Sequence, residues 1–280
     1  MAIALFLLAV TPAFADPALW VAKHDSATIY LFGTVHALPI TTKWHYPVLD
    51  RALASSDALY VELIDDDPAT MQSLVMQYGI DFAHPLSSEI GAADEQRVEA
   101  AAQTADVPAQ ALDAMRPWLA ALTLTVSPLL KAGFDPESGV DKVLRRDFAA
   151  TGKPVHGLET AGEQIHFFAD MSMPVEIAFL HSTLDDYAKA LSEVDTLVRD
   201  WDSGDVDALA RIQNSELRDK YPALYKLLLV DRNQRWAKQI AAMTAQHGTV
   251  FVAVGAEHLA GPDNVQAQLR KLGIDTTRLH

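Results

Sequence analysis

Two short stretches of this 280-residue chain carry residue types that can do chemistry. Thr28 to His36 and Val250 to His258 are each a β-branched and aromatic run that stops at a glycine, Gly33 or Gly255, and sets a histidine three residues further on. Two more apolar runs end in a carboxylate, Ala58–Val61 before Glu62 and Pro154–Leu158 before Glu159. If the four runs lie parallel in one sheet, two imidazoles and two carboxylates collect at its carboxyl edge, where open α/β sheets bind ligands. Glycine at each strand end either adopts a positive φ or lets another group come close to the backbone. Two imidazoles and a carboxylate are enough ligands for a catalytic divalent ion with positions left for water, so His36, Glu62 and His258 are the candidate metal ligands.

Such strands need elements to hold them, and the order of the chain supplies these. Leu19–Lys23 and Thr28–Phe32 read as a hairpin around the polar residues 24–27, and Trp44–Ser55 as a helix. With the strand before Glu62, residues 29–63 form a strand–helix–strand crossover, which favours parallel pairing. Residues 69–133 read as helices over 71–78, 92–104 and 109–130, with a new helix starting at Pro117. Helices follow over 140–150 and 161–171. A second helical block covers 174–190, 191–200, 206–214 and 221–247. Gly248 then opens the last large strand, a helix starts near Asn264, and 274–279 form an edge strand. The expected fold class is α/β, a central and mainly parallel sheet (core 16–67, 139–173 and 246–280) with two largely helical insertions, 68–138 and 174–245, that wall a cleft.

Composition bounds the function. Half of the residues are hydrophobic and 21% are charged, which suits a globular chain with a sizeable core. A net charge of −15 argues against nucleic acid and against an anionic membrane surface. Ile3–Val10 is apolar and is followed by Ala13-Phe14-Ala15, the small-x-small pattern of a signal-peptidase site, so 1–15 is expected to be an export signal and the mature chain periplasmic or extracellular. No other stretch approaches the length of a membrane span. Cysteine is absent, so thiolate ligands, a thiol nucleophile and disulfides are excluded, and oxygen and imidazole remain. The common signatures are missing too: a His-Glu-x-x-His helix, a Gly-x-Ser-x-Gly elbow, a phosphate loop and a dinucleotide turn.

A series of blocks in order resembles the TraB/GumN family: Leu31-Phe32-Gly33-Thr34-Val35-His36, Val61-Glu62, Arg116-Pro117-Trp118, Gly139-Val140-Asp141, Gly157-Leu158-Glu159-Thr160 with Gln164, Trp201 with Gly204-Asp205, Arg232-Asn233 with Trp236, and Val254 to Gly261. The resemblance runs over roughly 19–278 and implies a wider group that includes Tiki-type metalloproteases, PrgY pheromone-shutdown proteins, erythromycin-esterase-like enzymes and ChaN-like haem-associated proteins. For Tiki-type members it implies manganese or cobalt and peptide-bond hydrolysis, with zinc also compatible with these ligands. For esterase-like members it implies a histidine-activated water without an obligatory metal. By motif, His36 and His258 are the paired imidazoles and Glu62 their acidic partner, while Glu159, Arg232 and Asn233 fall on recurrent positions. Arg232 is a permanent cation that either neutralises a carboxylate or an oxyanion, or ties the second helical block to the core.

The reading that follows is an exported metal-dependent hydrolase of a peptide, protein or small ester, in which the ion lowers the pKa of a bound water and Glu62 or Glu159 moves the proton. The alternatives are a metal or haem carrier without turnover, a partner-sequestering protein, or a metal-independent esterase-like hydrolase. Asp65, Asp66 and Asp67 read as a turn rather than a calcium site. His45 and His156 read as local packing residues, and Trp118, Trp201 and Trp236 as core anchors.

Overall fold

The computed structural model describes residues 16–24, 26–245 and 248–280, without the side chains at 186, 188, 190–193 and 213. The expected export signal, 1–15, lies outside the described residues. Six strands form one sheet: β1 (Leu19–His24), β2 (Ala27–Thr34), β3 (Ala58–Val61), β4 (Val155–Gly157), β5 (Gly248–Gly255) and β6 (Thr276–Arg278), in the order β4-β3-β5-β2-β1-β6. The four runs that end in His or Glu are the four parallel strands, β4 with β3, β3 with β5, and β5 with β2. The hairpin partner β1 runs antiparallel to β2 and carries the antiparallel edge strand β6.

The sheet is buried on both faces. Phe32, Leu59, Phe251 and Ala253 face one core with Trp44, Leu49, Leu144 and Trp201, and Ile29, Leu31, Val252 and Val254 face the other with Trp236, Ile240 and Leu269. Continuous apolar strands are what a parallel sheet covered by helices requires. Trp201 reaches across from its helix to donate its indole N–H to the Gly33 carbonyl at 2.8 Å, which pins the end of β2 from below. Trp118, also fully buried, anchors a separate helical core with Leu119 and Ile165.

The helices depart from expectation where local sequence was weak evidence. Residues 173–202 form one 30-residue helix, Met173–Asp202, instead of two, because nothing near Leu191 breaks the i to i+4 ladder. Residues 206–214 and 221–247 are more divided than expected. α-Helical turns alternate with two wide turns of i to i+5 bonding at Ala210–Asn214 and Lys226–Val230, before the helix Asp231–Met243. Such wide turns rotate everything that follows them, and both serve the site described next. Among the described residues no helix is long and apolar enough to cross a membrane.

Candidate functional site

The two Gly-x-x-His loops pack on each other. A Cβ added to Gly33 would lie 3.0 Å from the Ala256 backbone, and one added to Gly255 would lie 2.6 Å from the Glu257 carboxylate. Neither glycine has a positive φ, so close approach, and not left-handed geometry, explains both. The register sets Thr34 opposite Gly255, which staggers the two motifs by one residue. His36 therefore comes out exposed at the end of the sheet with Glu257 among the charges around it, while His258 turns inward on a short 3₁₀ turn, Ala256–Leu259. The His36 side chain is 59% exposed and that of His258 only 1%.

Glu62, at the end of β3, is 9% exposed and is gripped from two sides. The Gly255 N–H donates to one oxygen at 2.6 Å and Arg232 to the other at 2.6 Å. Glu159, just beyond β4, receives Arg232 at 2.7 Å, Arg235 at 3.1 Å and Gln164 at 3.3 Å. The Glu159 N–H donates to the Glu62 carbonyl at 2.9 Å, so the two carboxylates sit on adjacent strand ends in fixed register.

Arg232 lies in the first turn of Asp231–Met243, directly after the wide turn Lys226–Val230, which brings the Leu228 carbonyl to its Nη1 at 3.5 Å. Its guanidinium packs over the Trp236 ring with 4.6 Å to the centroid. The remaining N–H groups go to Glu62, to Glu159 and to His258 Nε2 at 3.2 Å. All of its donors are engaged within the protein, so Arg232 acts in this arrangement as the tie between helical block and sheet. An oxyanion would have to displace one of these partners to reach it.

His258 stands on Trp236, 4.4 Å between ring centroids, and its Nδ1 meets Asn233 Oδ1 at 2.6 Å. An amide oxygen only accepts, so Nδ1 is assigned the proton and Nε2 the lone pair that receives Arg232. Asn233 is itself fixed by donating to the Asp263 carbonyl at 2.9 Å. Asn214, from the other wide turn, donates to the Glu257 and Ala260 carbonyls and so holds the whole second loop. Burial, with the Arg232 and His36 charges, outweighs Glu62 and keeps the His258 ring neutral, its pKa down to about 3.

His36 has the opposite character. Partial enclosure works against its proton, but the bond from Nδ1 to Asp141 at 3.3 Å and the charges of Glu62, Asp141 and Glu257 prevail and raise its pKa to about 10. The two nearby carboxylates are also driven apart. For Glu62 burial is overcome by Arg232, His36 and the Gly255 N–H, so it stays ionised well below the ordinary carboxylate range. For Glu257 burial and the Glu62 charge together push the carboxyl up, against His36 and Arg232.

These shifts give stability a maximum in pH. Between pH 3 and 6.5 the unfolded chain protonates the residue corresponding to His258 and the folded chain does not, so stability rises with pH there, and Glu62 adds to the same slope below about 4.5. Glu257, raised, opposes it in the carboxylate range. From 6.5 to about 10 the folded chain keeps the His36 proton that the unfolded chain has lost, so stability falls as pH rises. Thermal melts from pH 4 to 9 are expected to peak at about pH 6–7. A melting temperature that stays flat below pH 6 would contradict a neutral buried His258.

Two residues that hold the site were not singled out as site residues from sequence: Glu257 and Asp141. Each lies inside a quoted motif block, adjacent to or one strand end away from a candidate histidine. Asp141 is placed by Gly139-Val140: the Val140 N–H donates to the Val35 carbonyl at 2.9 Å, and a Cβ on Gly139 would come within 2.3 Å of the His36 carbonyl oxygen. That contact is with backbone, which cannot swing aside. Gly139→Ala is expected to displace the His36 loop and to cost about 1–3 kcal/mol, as overpacked substitutions do, readable by urea denaturation. Stability within experimental error of the parent would show that the loop moves freely.

The three aspartates after β3 each have a local task. Asp65 accepts from the Ala161 N–H, Asp66 pairs with Arg145, and Asp67 caps the helix Pro68–Tyr78. His45 bonds Asp50 and His156 stacks on Tyr60, so both are local packing residues.

The donor types at this edge suit a divalent ion, but their arrangement here does not. One Glu62 oxygen and His258 Nε2 both accept from Arg232, a fixed positive charge, the other Glu62 oxygen accepts from the Gly255 N–H, and among the described residues no three His, Asp or Glu side chains converge as a ligand set.

Fold and site together define a class: an α/β protein whose parallel strands deliver paired Gly-x-x-His loops and two carboxylates to one end of the sheet. A family model described as the TraB/PrgY/gumN family matches residues 18–278, and the chain belongs to that family. It is 21% identical over 269 residues to an uncharacterized protein of Treponema pallidum (strain Nichols), covering 90% of this chain and 80% of the relative. It is 25% identical over 261 residues to the uncharacterized protein YbaP of Escherichia coli (strain K12) and to YbaP of Shigella flexneri, covering 91% of this chain and 92% of each relative. No solved structure gives a significant match.

Proposed function

We propose that the cleft hydrolyses a peptide or ester bond by acid–base catalysis, with Glu257 as general base, His36 as general acid and Glu62 as the fixed anion between them. The observation that carries this reading is geometric: an exposed His36 bonded to Asp141 at the end of the sheet where Glu62 is gripped by Arg232 and the Gly255 N–H, and the directions in which Glu257, Glu62 and His36 are shifted, up, down and up, support it. Groups so divided can give and take protons at the same pH. Water adds to the carbonyl carbon as Glu257 takes its proton, and the leaving amine or alcohol departs with the proton of His36. Behind them Arg232, Glu159, His258 and Asn233 are buried and mutually bonded, and they set the geometry.

A second reading, metal-assisted hydrolysis through His36, Glu62 and His258, is favoured by one feature. Asn233 orients His258 as outer partners orient metal-binding histidines, with the Nε2 lone pair facing Arg232, which also holds Glu62. Arg232 would have to withdraw for these residues to hold manganese, cobalt or zinc, and a bound ion would supply an activated water. The apolar run ahead of Asp16 supports export, and the substrate would then be met outside the cytoplasm.

The test is turnover of a fluorogenic peptide library and of p-nitrophenyl esters by the parent and by His36→Ala, each with chelator and with added manganese, cobalt or zinc, alongside elemental analysis. Turnover that survives chelator and is lost in His36→Ala supports the acid–base reading. Turnover that needs an ion, with metal lost in His258→Ala, replaces it with the second. Full activity in His36→Ala removes both. Haem absorbance without any hydrolysis would establish a carrier instead.

A further inference from the structure

A cavity of about 540 Å³ opens beside the candidate site, between the segment Ile64–Pro68, the helix Val140–Ala150 and the strand β4. That is the size of a ligand pocket, and neither His36 nor His258 lines it. Its charges are largely settled among themselves. Arg145 grips Asp66 with two bonds, at 2.8 and 2.9 Å, and Lys142 meets Glu137 at 2.6 Å. Arg146 is different: it is exposed, it donates to the Glu137 carbonyl at 3.2 Å, and among the described residues no carboxylate pairs with it. Ile64, 43% exposed, stands at the rim, with Ala149 and Val155 as further apolar wall.

Val155 belongs to an open sheet edge. β4 pairs only with β3, and on that side the bonds from Leu59 N–H to the Pro154 carbonyl and from Leu158 N–H to the Val61 carbonyl show which residues point inward. Main-chain groups alternate sides along a strand, so the N–H and C=O groups of Val155 and Gly157 face the free edge. Such an edge is a template for one more strand.

We propose that the β4 edge and this cavity form a subsite for an extended, carboxylate-bearing peptide segment of the substrate, bound as an added strand with its acidic group on Arg146. The proposal rests on the reading of the cleft as a hydrolase and names its substrate class. Backbone pairing supplies affinity independent of sequence, the apolar wall takes an alternate side chain, and Arg146 supplies the preference for an acid. An added strand lies three strand spacings, about 14 Å, from β5, whose end carries Glu257, so about four extended residues separate the paired segment from the cut. Access between subsite and site is short, because Asp141, the partner of His36, sits one helical turn before Arg145 on the same face of its helix.

Fluorescence anisotropy tests this without turnover, using the full chain and fluorescein-labelled Ala-Val-Glu-Val-Thr-Ala, its lysine analogue, and a copy N-methylated at alternate residues. The glutamate peptide is expected to bind about tenfold more tightly than either relative, and Arg146→Glu to reverse the glutamate–lysine preference. Equal binding of all three peptides, or an unchanged preference in a folded Arg146→Glu protein, overturns the subsite. If binding follows expectation but neither peptides nor esters are cleaved, the hydrolase reading fails and the peptide groove stands.

Discussion

Replacing Arg232 by alanine is expected to cost about 3–5 kcal/mol of folding stability, the range for leaving buried charge without its partner. Glu62 and Glu159 are 9% and 5% exposed, and Arg232 is the cation that both share. Arg235 still reaches Glu159, but it is 44% exposed and, among the described residues, Glu62 takes its side-chain cation from Arg232. Arg232→Lys should recover only a small part, since one ammonium group cannot meet two carboxylates, a carbonyl and an imidazole at once, nor stack flat on Trp236. The informative control is Arg232→Ala with Glu62→Gln and Glu159→Gln, which removes the stranded charges and should be more stable than the single variant. Urea denaturation measures all three. A single variant within about 1 kcal/mol of the parent would mean that the two carboxylates take up protons or water at little cost, and the charged core described above would lose its central role.

The second large effect concerns chemistry. Glu257→Gln is expected to fold normally and to lower turnover of peptides or esters by about 10²–10⁴, the usual worth of a positioned proton acceptor. The substitution keeps the size of the side chain against Gly255 and removes only its ability to take a proton. In the parent, the acidic limb of the pH–rate profile should report the raised Glu257 carboxyl and the basic limb the raised His36 imidazole, so that activity is greatest between them. His258→Asn offers a contrast: its ring is buried and bonded, so its loss should show first as instability and only then as lower activity. Undiminished turnover in Glu257→Gln would reassign the base, with Glu62 as the next carboxylate in the cleft.

These two expectations concern different residues because the site has two layers. Arg232 was readable from sequence as either an oxyanion partner or a structural tie, and its saturated hydrogen bonds place it in the second role in this arrangement. Glu257 sat unremarked beside the histidine of the second motif. What separates the two is the one-residue stagger between β2 and β5, which presents Glu257 to the cleft and sends His258 into the core. A stagger of that kind follows from strand pairing across more than two hundred residues, and no local pattern encodes it.

Local sequence by itself determined the four strand ends, the mainly parallel pairing favoured by the 29–63 crossover, most helix starts and the residue types that meet at the sheet edge, while the strand order was left to the tertiary structure. Apolar runs stopped by glycine, proline caps and 3.6-residue periodicity are short-range properties, and they act before distant segments meet. Only the tertiary structure decided which histidine is accessible, which carboxylate is fixed by Arg232, and that a spare arginine lies beside an open strand edge. Those outcomes depend on burial and on charges brought together from β2, β3, β4, β5 and the helix Asp231–Met243, and the energy of a charge is set by its surroundings and not by its place in the chain.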